Sequence, residues 1–463
     1  YTFHKLFATS YISSRERTMA SFTDVFANLT LNEDRFVKLI TNLISVSKQL
    51  QNNPAQGLIP QEDLASDFVL EVLEPYKKEN GGPLEIERVT FVEGRGNVII
   101  KYPGSTDEVV SFIGSHLDVV PADPKNWDED PFVLRREGDL IFGRGTTDCL
   151  GHVAMLTDFF ASLAEARPVL KQSVVAVFIA NEENGHFKGV GVDQLSREGY
   201  LDDLKKGPVY WIDAADSQPC QGTCGVMTWK MDVHGKLFHS GMPNRTVNPI
   251  EMSMDALSFI QNEFYTNFPR DPREDVYNYT TSSTMKPTQI RSTVGSLNQI
   301  PPVCTIEGDC RVSPFYDVRK VKVVLEEAAA KINADPQGVL ANFGNQYHGP
   351  HSKYVVPSIE LTGRVDLKIH DGAENGIACN LDSPGFKALV KATGEVLGSV
   401  EPYSIGGSLP LVRDMQDDGF DIQIAGYGFA ARYHADNECA SIAALGNATK
   451  IISNICSMLE AQY

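Results

Sequence analysis

The chain has 463 residues, of which 42% are hydrophobic and 22% are charged, and its net charge is -19. This length exceeds what one hydrophobic core normally supports, so we expect more than one domain. The negative charge argues against nucleic acid as a partner, because phosphate binding requires clustered lysines and arginines. No apolar run reaches the roughly 20 residues of a membrane-spanning helix, so we expect no membrane partner.

The first 30 residues are expected to lie outside the folded part of the chain. Residues 1–18 combine basic, serine and threonine side chains, which is typical of a leader or transit segment, and Met19 resembles a natural start. The eight cysteines lack the spacing of a disulfide framework or a zinc ribbon. We therefore expect reduced thiols in the cytoplasm or a plastid, and not a secreted protein.

From residue 31 to residue 221, helical segments alternate with short apolar segments. Helical periodicity covers residues 36–50, 64–76 and 151–164, and strand-like runs cover 86–92, 97–102, 109–114, 173–180 and 208–212. The last three runs are almost continuously apolar, which is typical of strands buried on both faces of a parallel sheet. We therefore predict an α/β fold with a mostly parallel sheet covered by helices.

The pattern changes between residues 222 and 380. Strand-like segments at 227–233, 289–294, 303–312 and 361–369 accompany helical segments at 248–262 and 318–332. This predicts a smaller inserted α+β domain. A helix at 383–397, a Gly-rich segment at 405–408, a strand at 422–428 and a helix at 440–460 then return to the first pattern. Residues 381–463 are therefore expected to complete the first domain.

Histidine and acidic side chains follow the buried strands where each strand ends. They are His116 and Asp118 after 109–114, Glu182 and Glu183 after 173–180, and Asp213 after 208–212. Active groups in open parallel sheets gather beyond the carboxyl ends of the strands, so we expect these side chains to converge. Asp148, just ahead of a predicted helix, and His434, late in the chain, complete the set.

These side chains predict a site for two metal ions. His116, Asp148, Glu183, Asp213 and His434 can hold two zinc ions if one carboxylate bridges them, although cobalt or manganese also occupy such sites. A metal pair lowers the pKa of a shared water and polarises a carbonyl group. Amide hydrolysis also needs a base that is not a ligand, and one of the two adjacent glutamates is free for that role.

Five short motifs carry most of these candidates, and their order suggests a family. They are Ser115-His116-Leu117-Asp118, Gly143-Arg144-Gly145-Thr146-Thr147-Asp148, Asn181-Glu182-Glu183, Phe238-His239-Ser240-Gly241 and Tyr433-His434-Ala435-Asp436-Asn437-Glu438. In this order they resemble the dinuclear-zinc aminoacylase, carboxypeptidase and deacetylase family over residues 36–460. The resemblance implies a zinc-hydrolase catalytic domain (31–221 and 381–463) and an inserted dimerisation or lid domain (222–380). It also implies a homodimer that hydrolyses an N-acyl amino acid, with N2-acetyl-L-ornithine as the expected substrate.

The same resemblance assigns roles to individual residues. By position, the metal ligands are His116, Glu183, Asp213, His434 and a bridging Asp148, with Asp118 orienting His116 and Glu182 acting as the base. His239 would reach a partner subunit's site to stabilise the oxyanion. Asn298 and Arg311 would hold the substrate, and Gly406, Gly407 and Ser408 would line its pocket. Many relatives differ around residue 213, so Asp216 remains an alternative ligand.

Other interpretations stay open. The same chemistry could act on other substrates, as in an aminoacylase, a dipeptidase or a succinyl-diamino-acid desuccinylase. Singly, Asp148 could be a helix cap, Glu182 and Glu183 a solvated strand end, and Arg311 a partner of Asp309 or Glu307. A binding module on an inactive hydrolase fold is a further alternative. The histidines that do not fit the ligand pattern are His152, His186, His234, His348, His351 and His370.

Overall fold

The computed structural model describes residues 21–184, 187–341, 343, 354–409 and 411–462. Its helices are α1 (Phe22–Asn28), α2 (Glu33–Val46), α3 (Asp63–Leu73), α4 (Leu150–Ala166), α5 (Val192–Arg197), α6 (Pro249–Asn267), α7 (Arg273–Val276), α8 (Val318–Ala334), α9 (Pro336–Leu340), α10 (Pro384–Leu397), α11 (Val412–Asp417) and α12 (Ile442–Glu460). Its strands are β1 (Glu85–Thr90), β2 (Gly96–Tyr102), β3 (Val109–His116), β4 (Arg135–Glu137), β5 (Leu140–Phe142), β6 (Ser173–Ile179), β7 (Pro208–Ile212), β8 (Cys220–Thr223), β9 (Gly225–His234), β10 (Phe238–His239), β11 (Thr284–Ser292), β12 (Gln299–Ile300), β13 (Val303–Val312), β14 (Val355–Val356), β15 (Leu361–Thr362), β16 (Arg364–Ile369), β17 (Tyr403–Ile405), β18 (Asp421–Ala425) and β19 (Cys439–Ser441).

The larger sheet joins eight strands in the order β1-β2-β6-β3-β7-β18-β8-β17. The pairs at its centre, β6 with β3, β3 with β7 and β7 with β18, are parallel. Antiparallel pairs, β1 with β2 and β2 with β6, form one edge. Every residue of β3, β6 and β7 is buried, which matches their almost continuously apolar sequences. The prediction of an α/β fold around a mostly parallel sheet is confirmed.

Helices and loops cover both faces of this sheet. On one face, α2, α3, α4, α10 and α12 bury a core that includes Phe112, Phe159 and Ile452. The other face buries Ile113 and Trp211 in a second core with residues of α5 and α11. Phe112 and Ile113 are neighbours on β3 and contribute to different cores because side chains alternate along a strand. With both faces covered, the carboxyl ends of the strands are left to carry functional groups.

A smaller antiparallel sheet lies in the segment between β8 and α10, with the strand order β11-β13-β9-β16. Along β13, buried residues alternate with partly exposed ones, which is typical of a sheet with one covered face. Helices α6 and α8 contribute to the core on that face, which includes Trp229, Phe264 and Leu325. This α+β unit lies within the predicted insert, residues 222–380.

Several element boundaries differ from the sequence predictions. The predicted strand 361–369 is divided into β15 and β16 at Gly363, whose N–H donates to the carbonyl of Tyr354 outside the smaller sheet. The predicted strand 289–294 instead runs from Thr284 to Ser292. The alternation of apolar and polar residues identified these strands, but the residues at which they end depend on partner strands that are distant in sequence.

The prediction of a disordered leader over residues 1–30 is wrong for residues 22–28, which form α1. Val25 and Phe26 are buried in the first core. A helix of 7 residues is too short to show a clear helical repeat of apolar residues in its sequence. Residues 1–20 lie outside the described part of the chain.

Helix α12 is long and apolar enough to cross a membrane by length and composition alone, with a mean hydropathy of 1.2. The prediction that no such run exists is therefore wrong. In the structure, 56% of this apolar stretch is buried, and Ile451, Ile452 and Ile455 contribute to the first core. Buried core helices pass the same test, so α12 is only weak support for a membrane span.

Candidate metal centre

The candidate ligands converge at the carboxyl end of the larger sheet. Strands β6, β3 and β7 are neighbours, and Glu183, His116 and Asp213 lie at or just beyond their ends. Asp148 precedes α4, and His434 lies between β18 and β19. Because parallel strands end at the same edge of a sheet, residues from distant parts of the chain meet here.

One group of ligand atoms surrounds the His116 ring. Its Nε2 lies 2.9 Å from Asp148 Oδ1. Ligand atoms of His116, Asp148, Cys149 and Asp213 all lie within 4.8 Å of one another, and all four residues are buried. An imidazole nitrogen and carboxylate oxygens gathered in this way suit a divalent ion.

A second group shares Asp148 with the first. His434 Nε2 lies 3.1 Å from Asp148 Oδ2 and 3.2 Å from Glu183 Oε2. Hydrogen bonds to Asp148 and Glu183 raise the pKa of His434 to about 11. Burial opposes ionisation of Asp148, but hydrogen bonds from the two histidines hold the pKa of this carboxyl below its ordinary value. The two oxygens of Asp148 therefore face different histidines, which is the placement that a bridging ligand requires.

The surroundings of the cluster also fit a cation site. Glu183 Oε1 is buried and receives no hydrogen bond from the residues that the structure describes, which suits a metal ligand. Burial, with repulsion from Asp213, raises the pKa of Glu182 well above its ordinary value. Burial and the neighbouring Asp148 raise the pKa of Asp213 to about 8. Divalent cations bound among these carboxylates would relieve their mutual repulsion.

Asp118 positions both His116 and the two glutamates. His116 Nδ1 donates to the Asp118 carbonyl oxygen at 2.8 Å, which fixes the ring so that Nε2 faces Asp148. The carboxylate of Asp118 accepts the backbone N–H groups of Glu182 at 3.0 Å and Glu183 at 3.1 Å. Asn52 donates to the same carboxylate at 2.7 Å. Asp118 thus orients the ring mainly through its backbone, while its side chain holds the glutamate loop.

The structure separates Asp213 from Asp216. Asp213 is buried within the first group, whereas Asp216 is exposed. Asp216 Oδ1 accepts the N–H of Ala430 at 3.0 Å. The backbone N–H of Asp216 donates to Gly428 at 2.8 Å. These contacts show that Asp216 stabilises the loop around residues 428–430, and they favour Asp213 as the ligand.

Cys149 lies in the first group, although sequence reasoning considered only nitrogen and oxygen ligands. Its Sγ lies 3.1 Å from His152 Nδ1, and His152 Nε2 accepts the N–H of Tyr427 at 2.9 Å. Because Nε2 accepts, Nδ1 carries the proton and donates to the sulfur. Burial lowers the pKa of His152 to about 4, so this histidine is neutral and structural. The sequence feature that could have placed Cys149 in this group is its position directly after Asp148.

A cavity of about 510 Å³ opens beside the cluster. Its lining residues are Asp148, Glu182, Glu183, Asp213, Ala214, Ala215, Tyr403, Ile405, Gly407, Ser408, Leu409, Ala430, Tyr433 and His434. Gly407 and Ser408 were predicted to line the pocket, and Gly406 adjoins them without lining it. The hydroxyl of Tyr433 donates to Ala214 at 2.8 Å, which anchors this wall. The volume suits a small-molecule ligand.

Three residues that the resemblance places at the substrate do not line this cavity. His239 is exposed on β10, and its Nδ1 accepts the N–H of Gly241 at 3.0 Å. Asn298 is exposed just before β12, which pairs with β10. Arg311 Nε donates to Asp309 Oδ2 at 2.8 Å, which is the local pairing left open by the sequence. All three belong to the insert, so a role at the substrate requires the insert of this or another subunit to approach.

Sequence reasoning missed Glu438 and the two tyrosines of the cavity, Tyr403 and Tyr433. Glu438 is fully buried beside the loop that carries Asp148. The available signal was its place at the end of the motif that contains His434, but nothing in the local periodicity marks it as buried. Among the histidines outside the ligand pattern, His186, His348 and His351 lie outside the described residues.

The chain is similar in sequence to known proteins. The profile of Peptidase family M20/M25/M40 matches residues 112–457. The chain is 51% identical over 433 residues to an acetylornithine deacetylase from Arabidopsis thaliana, with 93% of this chain and 97% of the relative covered. It is 49% identical over 451 residues to an acetylornithine deacetylase from Dictyostelium discoideum, with 95% of this chain and 99% of the relative covered.

Comparisons with solved structures support the fold. The dipeptidase Dug1p from Saccharomyces cerevisiae superposes with a TM-score of 0.64 at 16% identity, covering 96% of this chain and 99% of that chain. Human carnosine dipeptidase 1 gives a TM-score of 0.64 at 15% identity, with the same coverage of 96% and 99%. At these identities the similarity concerns the fold alone.

Proposed function

We infer that this chain, which belongs to Peptidase family M20/M25/M40, is a metal-dependent amidohydrolase that converts N2-acetyl-L-ornithine to L-ornithine and acetate. The observation that carries the chemistry is the placement of Asp148 between His116 and His434, 2.9 Å and 3.1 Å away, with Glu182 beside them. The identity of about half to two acetylornithine deacetylases supports the substrate. This reaction places the protein in arginine biosynthesis.

The His/Asp/Glu cluster is a metal-binding site, and we propose that it holds two Zn²⁺ ions. His116, Asp148 and Asp213 would hold one ion, and Asp148, Glu183 and His434 the other. Bound there, the ions supply Lewis-acid catalysis to the amide carbonyl and to water. The nitrogen and oxygen donor set also accepts Co²⁺ or Mn²⁺, so metal analysis of the purified protein decides the identity.

Glu182 is the residue that moves protons in this proposal. Its side chain is 10% exposed, and its Oε2 lies 4.0 Å from His116 Nε2. Its carboxylate takes a proton from the attacking water, and the water oxygen bonds to the acetyl carbon. As the C–N bond breaks, the proton passes to the leaving amine nitrogen.

A substrate panel tests the proposed function. We expect kcat/KM for N2-acetyl-L-ornithine to exceed that for N-acetyl-L-methionine, a dipeptide and an N-succinyl-diamino acid by at least about 10-fold. The expectation follows from the two relatives, because the cavity alone does not distinguish one acyl-amino acid from another. Metal content is measured on the same sample, and the chelated protein is the control. Faster turnover of another substrate would reassign the enzyme to an aminoacylase, a dipeptidase or a desuccinylase, and a metal-free, inactive protein would favour a binding module.

We also propose that the chain forms a homodimer through the insert. Strand β11 is the edge of the smaller sheet, and every residue from Lys286 to Ser292 is exposed. The following turn exposes Val294 at 98% and Leu297 at 105%. A long exposed edge strand with apolar neighbours is a template for pairing with another chain. The same insert carries His239, which would then act at the partner's site.

Subunit complementation tests this arrangement. Glu182→Ala and His239→Ala chains, each inactive alone, should recover about a quarter of wild-type activity after subunit exchange. Half of randomly exchanged dimers are hybrids, and each hybrid holds one intact site. Mixing two separate preparations of Glu182→Ala is the control, and it should recover nothing. If exchange is confirmed by mass and activity stays at the level of the single variants, His239 does not act across subunits.

We propose the cytoplasm or a plastid as the compartment. All eight cysteines are free and buried, which is compatible with a reducing environment.

A further inference from the structure

Glu438 is fully buried, and its carboxylate accepts hydrogen bonds from the loop before α4. Its Oε1 accepts the backbone N–H of Thr147 at 2.8 Å and of Asp148 at 2.9 Å. Its Oε2 accepts the backbone N–H of Gly145 at 3.0 Å and a guanidinium N–H of Arg144 at 2.7 Å. A carboxylate that gathers several N–H groups fixes a backbone more firmly than a neutral acceptor would.

This loop has little other support from secondary structure. Residues 143–149 form neither helix nor strand, so no regular hydrogen-bond ladder holds Asp148. The backbone of Glu438 adds to the attachment, because its carbonyl accepts the N–H of Gly143 at 3.1 Å. The hydroxyl of Thr147 donates to the Cys439 carbonyl at 2.6 Å. The loop that carries Asp148 is thus attached mainly to the segment that begins at His434.

His434 and Glu438 belong to the same short segment before β19. His434 Nε2 lies 3.1 Å from Asp148 Oδ2. The carboxylate of Glu438 therefore lies between the backbones that carry two ligands of the same group, Asp148 and His434. A change in its contacts would alter the spacing between these two ligands.

We propose that Glu438 is a positioning residue that sets the distance between Asp148 and His434, and so the affinity of the metal site formed with Glu183. This inference rests on the metal centre in the proposed function, but not on the identity of the substrate. The other group also contains Asp148 but depends less on Glu438, because His116 and Asp213 lie at strand ends that the larger sheet fixes.

Glu438→Gln tests the proposal at nearly constant volume. Each carboxylate oxygen accepts two N–H donors, so an amide NH2 in either position loses two hydrogen bonds and opposes two donors. We expect one of the two Co²⁺ binding events, followed by calorimetry and cobalt absorption, to weaken by about 10- to 100-fold. At limiting metal, kcat should fall while KM changes little, and excess metal should restore part of kcat. A loss of kcat that is caused by misfolding would not be restored by excess metal.

Glu460→Gln is the matched control. Glu460 is also buried, and its carboxylate accepts the backbone N–H groups of Lys171 at 2.7 Å and Gln172 at 3.1 Å. Lys171 and Gln172 precede β6, whereas Glu182 and Glu183 follow it, so Glu460 acts at the opposite end of this strand. We expect this variant to lose thermal stability but to keep both Co²⁺ affinities and kcat.

Two results would overturn the inference. One is wild-type affinity for both Co²⁺ ions in folded Glu438→Gln, and the other is equal loss of affinity in Glu460→Gln. If Glu438→Gln does not fold, Glu438→Asp keeps the charge but shortens the side chain, and wild-type affinities in that variant would also overturn it. Metal titration needs no substrate, so poor turnover of acetylornithine would reject the proposed substrate without affecting this result.

Discussion

Replacing Glu182 by alanine is expected to lower kcat for N2-acetyl-L-ornithine by about 10²- to 10⁴-fold, the usual contribution of a general acid–base group. Metal content should stay at the wild-type level. Glu182 lines the cavity and lies near ligand atoms of His116 and Glu183, but neither of the two groups that share Asp148 contains it. Removing it therefore takes away the proton carrier and leaves those ligands in place. Turnover and metal content are measured on the same preparation.

The neighbouring glutamate provides the contrast. Glu183 Oε2 lies 3.2 Å from His434 Nε2, and its other oxygen has no hydrogen-bond partner among the described residues. Glu183→Ala should therefore lose bound metal as well as activity. If Glu182→Ala retains near-normal turnover, Glu182 is not the base. If it loses metal as Glu183→Ala does, the two glutamates do not have separate roles.

Replacing Asp148 by asparagine is expected to weaken both metal sites at once and to lower kcat at least about 10³-fold. Each 1.36 kcal/mol of lost transition-state stabilisation reduces the rate tenfold, and metal catalysis contributes several kcal/mol. Asp148 Oδ1 faces His116 at 2.9 Å and Oδ2 faces His434 at 3.1 Å. Asparagine has one oxygen and no charge, so it cannot serve both sites. Titration of the metal-free variant with Zn²⁺ measures both affinities.

Asp216→Asn is the control for this experiment. Asp216 is exposed, and its Oδ1 accepts the N–H of Ala430, a contact that an asparagine oxygen can also make. We expect wild-type metal affinity and activity. Asp213→Asn should instead weaken the site that includes His116. Two ions bound at wild-type affinity in Asp148→Asn would rule out a bridging role, and loss of metal in Asp216→Asn would reverse the choice between the two aspartates.

The parallel core of the fold was predictable because its signal is local. Strands β3, β6 and β7 are short, almost continuously apolar segments, and each is followed by a polar side chain that does not belong in the core. A buried strand of a parallel sheet produces this pattern whatever its neighbours are. The convergence of His116, Glu183 and Asp213 followed from that pattern, because parallel strands end at one edge.

Strand patterns, residue types and motif order therefore determined the fold class and the type of reaction. They predicted an α/β fold, nitrogen and oxygen metal ligands, and an acid–base glutamate beside them. Only the tertiary structure decided that Asp213 and not Asp216 enters the cluster, that Asp118 holds the glutamate loop, and that Glu438 fastens the loop of Asp148. It also left His239, Asn298 and Arg311 outside the cavity. The reason is physical: these choices depend on loops closing over distant segments, and the contacts that close them leave no periodicity in the sequence around either partner.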